Sequence, residues 1–231
     1  MPPAELSLAQ APSQPVQPLP RRSRVHGWGG GGGAPVELAT PATLDQLAAA
    51  LAARAPGQRA LPRGMGRAYG DAAQLTDGLV LQTTRLRAFE LDRESGVLTA
   101  QAGVSLGELL SVTVPAGWMV PVVPGTQHVS VGGAIASDIH GKNHGVAGTF
   151  GSHVEQLELL TADGELRELS PGATDGLFEA TLGGMGLTGI IVSARIRMTA
   201  VSTPLLSVDT DRVDDLDGAL AVLSALSLIH I

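Results

Sequence analysis

Pro124–His144 reads PGTQHVSVGGAIASDIHGKNH, the densest run of glycine, small residues and histidine in the chain. Its centre, Val131-Gly132-Gly133-Ala134-Ile135-Ala136-Ser137, carries almost no side-chain bulk. Such a segment builds a poor core. It lets a large molecule lie against the backbone, because glycine has no Cβ to hold it away. Asp138, His140, Lys142, Asn143 and His144 follow at once, so the smooth bed runs directly into polar chemistry. From these residues alone two readings stay open: a bed for a large ligand, or a tight glycine-rich loop that holds nothing.

Two other glycine-rich stretches flank it. Upstream, Pro62–Asp71 reads PRGMGRAYGD, with Gly64, Gly66 and Gly70 alternating with polar groups. The N–H groups of such a loop can cradle a phosphate, although ordinary turns look the same. Downstream, LGGMGLTG (Leu182–Gly189) is a second flexible loop. It leads into Ile191–Met198, whose alternation predicts a half-buried antiparallel edge strand. Met65 and Met185, each inside a glycine loop, read as gap fillers.

The remaining elements follow from local signals. Thr40-Pro41, or Thr43 with Gln46, starts a helix that Pro56-Gly57 stops. Strands are predicted at 78–82, 88–92 and 97–100, the last two joined by a Glu94-Ser95-Gly96 turn. Ser105 and Glu108 form a capping box that opens a short helix, and 118–123 reads as a strand. Residues 154–161 and 166–169 form a hairpin around Asp163-Gly164, and 175–182 a short helix. Strands mixed with helices in this order predict an α+β class, not a strict doubly wound sheet.

Composition sets the outer limits. The chain has 231 residues, 30 of them glycine, 44% hydrophobic but only 3% aromatic, so its core is built from Ala, Val, Leu and Ile. A net charge of -7 offers no basic face for nucleic acid. The lack of cysteine excludes disulfides, thiolate metal sites and cysteine nucleophiles. Residues 1–24, rich in proline and ending in Arg21, Arg22 and Arg24, read as a disordered leader without the apolar core of a signal peptide. Trp28 is expected to anchor the start of the fold, ahead of the exposed glycine run Gly29–Gly33. The end, Leu226–Ile231, is apolar and uncapped, which reads as a truncation within residues 206–231.

Four stretches now stand in order: PRGMGRAYGD, PGTQHVSVGGAIASDIHGKNH, the turn around LLTADGE, and LGGMGLTGIIVSARIRM. Together they resemble the FAD-binding domain of the vanillyl-alcohol-oxidase-like, PCMH-type flavoproteins, over residues 25–205. IHGKNH after GGAIA is the most specific element. The resemblance implies two α/β subdomains, with residues 206–231 starting a truncated substrate domain. It implies an FAD-dependent oxidoreductase in which hydride leaves a sugar secondary alcohol for the flavin and a base takes the hydroxyl proton. Within the family it points to the branch that oxidises the C2 hydroxyl of decaprenylphosphoryl-β-D-ribose, a step of cell-wall arabinan synthesis. An aldonolactone or alditol oxidase, of D-arabinono-1,4-lactone oxidase type, is the alternative, as is an inactive FAD-binding fragment.

The same resemblance implies the site. Arg63, Gly64, Met65, Gly66, Arg67, Ala68, Tyr69, Gly70 and Asp71 would wrap the pyrophosphate. Gly125, Ser130, Val131, Gly132 and Gly133 would offer backbone contacts. Ser137, Asp138, Ile139 and His140 would approach the isoalloxazine, and Ile191 would close over the adenine end. His140 would be catalytic and Lys142 would meet the substrate. Some family members bond flavin covalently through a histidine where this chain has Arg67, which implies non-covalent FAD. Relatives also carry cysteine at the position of Ser137 and a second histidine at that of Gly145. His140 and His144 are spaced i, i+4, but no glutamate lies between them as in HExxH and no third ligand is evident, so no metal is expected. The implied partners are a polyprenyl-phosphate sugar substrate, a short-chain reductase that completes an epimerisation, and a membrane surface touched peripherally. The implied location is cytoplasmic or peripheral to the inner membrane.

Overall fold

The computed structural model describes residues 6–7, 20–173, 175–205, 207–208 and 210–225. Most of the expected leader, and the apolar end 226–231, lie outside them.

In chain order the elements are β1 (Leu6–Ser7), β2 (Arg21–Val25), β3 (Ala34–Ala39), α1 (Leu44–Ala52), β4 (Ala60–Arg63), β5 (Leu79–Gln82), β6 (Phe89–Asp92), β7 (Val97–Gln101), α2 (Leu106–Thr113), β8 (Trp118–Met119), α3 (Val131–Ala136) and α4 (His144–Ala147). A 3-10 turn (Phe150–His153) then precedes β9 (Val154–Leu160), β10 (Leu166–Leu169), α5 (Leu177–Thr181), β11 (Ile190–Arg197), β12 (Thr199–Ala200) and α6 (Leu216–Ala225). They build two sheets and one small ribbon. A four-stranded sheet runs β2-β3-β5-β4, with β3, β5 and β4 parallel. A six-stranded antiparallel sheet runs β1-β6-β7-β11-β9-β10. The α+β class and the two-lobed build expected from the sequence are both present.

Local chemistry explains most boundaries. Thr43, not Thr40, caps α1: its hydroxyl accepts from Gln46 N–H. Ser105 and Glu108 complete both halves of the capping box on α2. Leu47 and Leu51 of α1 pack on Leu79 and Leu81 of one sheet and on Leu160, Ile190 and Val192 of the other, so one apolar cluster joins the lobes. A larger core holds the six-stranded sheet against α2, α3 and α5 through Leu98, Leu109, Ile135, Phe150, Leu157 and Phe178. Each such side chain contributes about 1.5–3 kcal/mol.

Four expectations change. Parts of the supposed disordered leader are strands: β1 pairs with β6, and β2 pairs with β3. Charged residues are normal on an edge strand, where they discourage further pairing, so Arg21, Arg22 and Arg24 did not exclude one. β11 is not an edge strand but lies between β7 and β9, because alternation reports which face is buried and not how many neighbours the strand has. The strand expected over 118–123 is limited to Trp118–Met119, although Val120 and Val122 are buried. Pro121 and Pro124 deny that segment ladder donors. Finally, the low-bulk centre of the opening stretch is a helix, α3. Two glycines cost a helix about 1 kcal/mol each relative to alanine. Gly132 is required nonetheless, because a Cβ there would lie 2.8 Å from the Ala102 Cβ.

Candidate cofactor site

Strand β4 ends at Arg63, and the chain leaves the sheet at the carboxyl ends of the parallel strands, where ligands bind in open α/β sheets. The loop that follows is wound around the Arg63 guanidinium. Its Nη1 donates to Ala73 O at 2.6 Å and its Nη2 to His26 O at 2.7 Å. Gly66 sits at φ 67°, and a Cβ on it would lie 2.1 Å from Nη2. Burial pulls the Arg63 guanidinium below the usual arginine value. Trp28 N–H donates to Ala68 O at 2.7 Å and Gly29 N–H to Tyr69 O at 3.3 Å. The loop is therefore held from behind by its carbonyls. Its N–H groups from Gly64 to Gly70, seven in a row, have no protein acceptor among the described residues.

Arg67 does not reach freely into this space. Its Nε donates to His128 O at 3.1 Å and its guanidinium stacks over Trp28 at 4.6 Å. That pair anchors Trp28, which is 59% exposed, by contact with the loop instead of by burial. Tyr69 is 82% exposed and fills no core.

Helix α3 forms the facing wall. Its first N–H groups are already used: Val131 donates to Val104 O, Gly132 to Ala102 O, and Gly133 to the Ser130 hydroxyl. What Val131, Gly132 and Gly133 of α3 leave to a ligand is therefore a backbone surface without bulk, since their own N–H groups already have acceptors. Ser137 caps its C-terminus and, with Ile139, lines the same cleft. Asp138 is not part of the cleft wall. Its backbone is left-handed at φ 40° and its carboxylate accepts from Gly151 N–H at 2.8 Å, so it holds the 3-10 turn. Gly125 and Asp71 lie outside the cleft wall; Asp71 borders a neighbouring polar depression with Arg24 and Gln74.

His140 is exposed just past Ile139, beyond the wall itself. Its ring meets that of His144 edge-on, with centroids 5.7 Å apart. His144 Nδ1 lies 3.0 Å from Gly141 O. Lys142 is exposed and forms no ion pair among the described residues. Among those residues no group of three His, Asp or Glu side chains could hold a metal.

The cleft encloses about 510 Å³. Ile191 on β11 also lines it, as do Pro62, Thr83, Ala102, Met185, Gly186 and Gly189, six residues that the sequence did not single out as site residues. Thr83 and Ala102 follow the ends of β5 and β7, and only the assembled sheets bring them here. The two other glycine runs marked the rest. Arg63 and Arg67 are in the wall and no carboxylate is. Free N–H groups, two cations and walls of Gly and Ala fit a long ligand with an anionic middle and flat ends, which is the shape and charge of a flavin dinucleotide.

Comparison with known proteins agrees. Residues 35–170 match the family described as FAD binding domain. The chain is 46% identical to decaprenylphosphoryl-beta-D-ribose oxidase of Mycolicibacterium smegmatis over 86% of this chain and 44% of that protein. It is 29% identical to alditol oxidase of a Streptomyces species over 68% of this chain and 37% of that protein. The chain thus spans less than half the length of these curated relatives. Among solved structures, the Physcomitrella patens BBE-like 1 protein shares the fold with a TM-score of 0.67 at 22% identity, over 73% of this chain and 38% of that one. The resemblance read from the glycine loops therefore holds: the chain belongs to the FAD-binding domain family, and its cofactor is FAD.

Proposed function

We propose that this chain is the FAD-binding part of an oxidase acting on a sugar secondary alcohol, with the C2 hydroxyl of a polyprenylphosphoryl ribose as substrate. The observation that carries the reading is the row of N–H groups from Gly64 to Gly70 without a protein acceptor among the described residues, in a loop that lines one cleft with the low-bulk helix α3. Identity to the decaprenylphosphoryl-ribose oxidase, higher and longer than to the alditol oxidase, favours the ribose substrate over an alditol or aldonolactone.

Bound FAD would supply the two-electron acceptor of the oxidation. The chain's own residues do the rest. N–H groups of the 64–70 loop meet the pyrophosphate charge, while Arg63 holds the loop in shape and Arg67 adds positive potential. Gly133 leaves room for the ligand along α3, and Ser137 and Ile139 border its reactive end. His140, at the exposed rim, accepts the hydroxyl proton, and Lys142 meets the anionic part of the substrate. With Arg67 in the loop, FAD is held without a covalent bond. The FAD-binding unit runs from residue 25 to 205, and residues 206–231 begin the substrate domain. A short-chain reductase would complete the epimerisation. No helix among the described residues is long and apolar enough to cross a membrane, and contact with the membrane carrying the lipid substrate is peripheral.

The test is direct. Purified protein should show a flavin absorption spectrum, and acid should release the flavin intact. Incubation of the full-length protein that contains this chain with a polyprenylphosphoryl ribose should yield the 2-keto product. Turnover of an alditol or aldonolactone in its place would favour the second reading.

A further inference from the structure

We propose that Met185 is a cofactor-contacting residue whose thioether side chain forms an apolar wall for a ring of FAD; the inference rests on the FAD reading of the cleft. Three described non-glycine residues have a left-handed backbone: Asp77, Asp138 and Met185. Aspartate tolerates that region through local hydrogen bonds, and methionine has no such compensation. The neighbouring Gly183 and Gly186 take similar angles, φ 74° and 79°. The Met185 backbone cannot relax, because Gly183 N–H donates to Ile135 O at 3.0 Å and Met185 N–H to Ala136 O at 2.8 Å, the last carbonyls of α3. Glycine is therefore the unstrained residue for this position, and a methionine stands there instead.

Core packing does not explain the choice. Met185 is 43% exposed, so it is not the gap filler expected from the sequence. It lines the cleft beside Pro62, Gly186, Gly189 and Ile191. Strained backbone concentrates where a ligand makes use of it. A flexible, polarisable thioether packs well on aromatic rings, and a bound ring would remove this exposed apolar surface from water.

The test compares Met185→Gly and Met185→Leu with the wild type, by thermal melting without flavin and by FAD titration followed through flavin fluorescence. Met185→Gly should melt at the wild-type temperature or about 2–4 °C above it. Its FAD dissociation constant should rise about 5–10-fold. Met185→Leu should bind within about 3-fold of wild type. Wild-type affinity in Met185→Gly would overturn the inference, as would a clear loss of melting temperature, which marks a structural role. A wild-type chain that takes up no FAD would remove the cleft reading itself, and this inference with it.

Discussion

A side chain at Gly64 would have to occupy the place of the Ser130 hydroxyl: its Cβ would lie 2.2 Å from Ser130 Oγ. Ser130 is 1% exposed and its Oγ caps α3 by accepting from Gly133 N–H at 3.3 Å. The phosphate-facing loop and the low-bulk helix thus meet at one point, and neither can shift without the other. Gly64→Ala should break the cap as well as crowd the loop. A lost serine cap costs about 1 kcal/mol, and the displaced loop adds to it. Melting should fall by about 2–8 °C in the flavin-free chain, and FAD binding should weaken in step.

The adjacent glycines of α3 separate fold from ligand. A Cβ on Gly132 meets Ala102, whereas one on Gly133 has only Ser130 Oγ within reach, at 3.1 Å, and is otherwise open. Gly132→Ala should therefore lower the melting temperature of the flavin-free chain. Gly133→Ala should keep it, helped by about 1 kcal/mol of helix propensity, yet weaken FAD binding about 10-fold or more. Parallel melts and titrations of the two variants check this; equal behaviour would contradict the assignment of faces.

Arg63 should not be replaceable by lysine. Its two nitrogens reach two carbonyls from different segments, His26 and Ala73. Lysine offers one point charge in place of a planar fork. Arg63→Lys and Arg63→Met should both lose FAD affinity, and proteolysis or hydrogen exchange should report a loosened 64–73 loop. Full affinity in Arg63→Lys would show that charge alone suffices.

How much of this was legible beforehand depended on the range of each signal. The Ser105–Glu108 box and the Asp163-Gly164 turn act over a few residues and read directly from the chain. Helix α3 did not, because VGGAIA has poor helix propensity and its formation depends on the cap at Ser130 and on close contact with Ala102, 30 positions upstream. Of the residues lining the cleft, Gly64, Gly66, Gly70 and Gly133 were visible as absent bulk. Thr83, Ala102 and Met185 were not, since each enters the cleft only through the pairing of strands or the anchoring of a loop on α3. Nor does sequence reveal that Asp138 turns to Gly151, or that the first N–H groups of α3 already have acceptors.

Acid should act on turns away from the cleft. The Asp92 carboxyl is held below its usual value by the Ser95 hydroxyl, then by the N–H groups of Glu94 and Ser95. A depressed carboxylate stabilises the fold above its unfolded pKa, near 4, and that contribution is lost as pH falls through the lower folded value. Melting temperature should decline on acidification below about pH 4. Asp92→Asn should flatten the part of that decline owed to this turn, as pH-dependent melts of the pair would reveal.

His140 should separate chemistry from binding. It is exposed and outside the cleft wall, so in the full-length protein His140→Ala should bind FAD within about 2-fold of wild type while lowering alcohol oxidation by about 100-fold or more. Equal loss of both would make His140 a cofactor ligand instead.

The central claim is that the free N–H groups from Gly64 to Gly70 carry the charged middle of FAD. Calorimetric titration of the flavin-free chain with FAD and with riboflavin, which has the ring but no phosphate, tests it most directly. Several charge-assisted hydrogen bonds are at stake, so riboflavin should bind at least about 100-fold more weakly than FAD. Equal affinity for the two, or a folded chain that binds neither, would contradict the account.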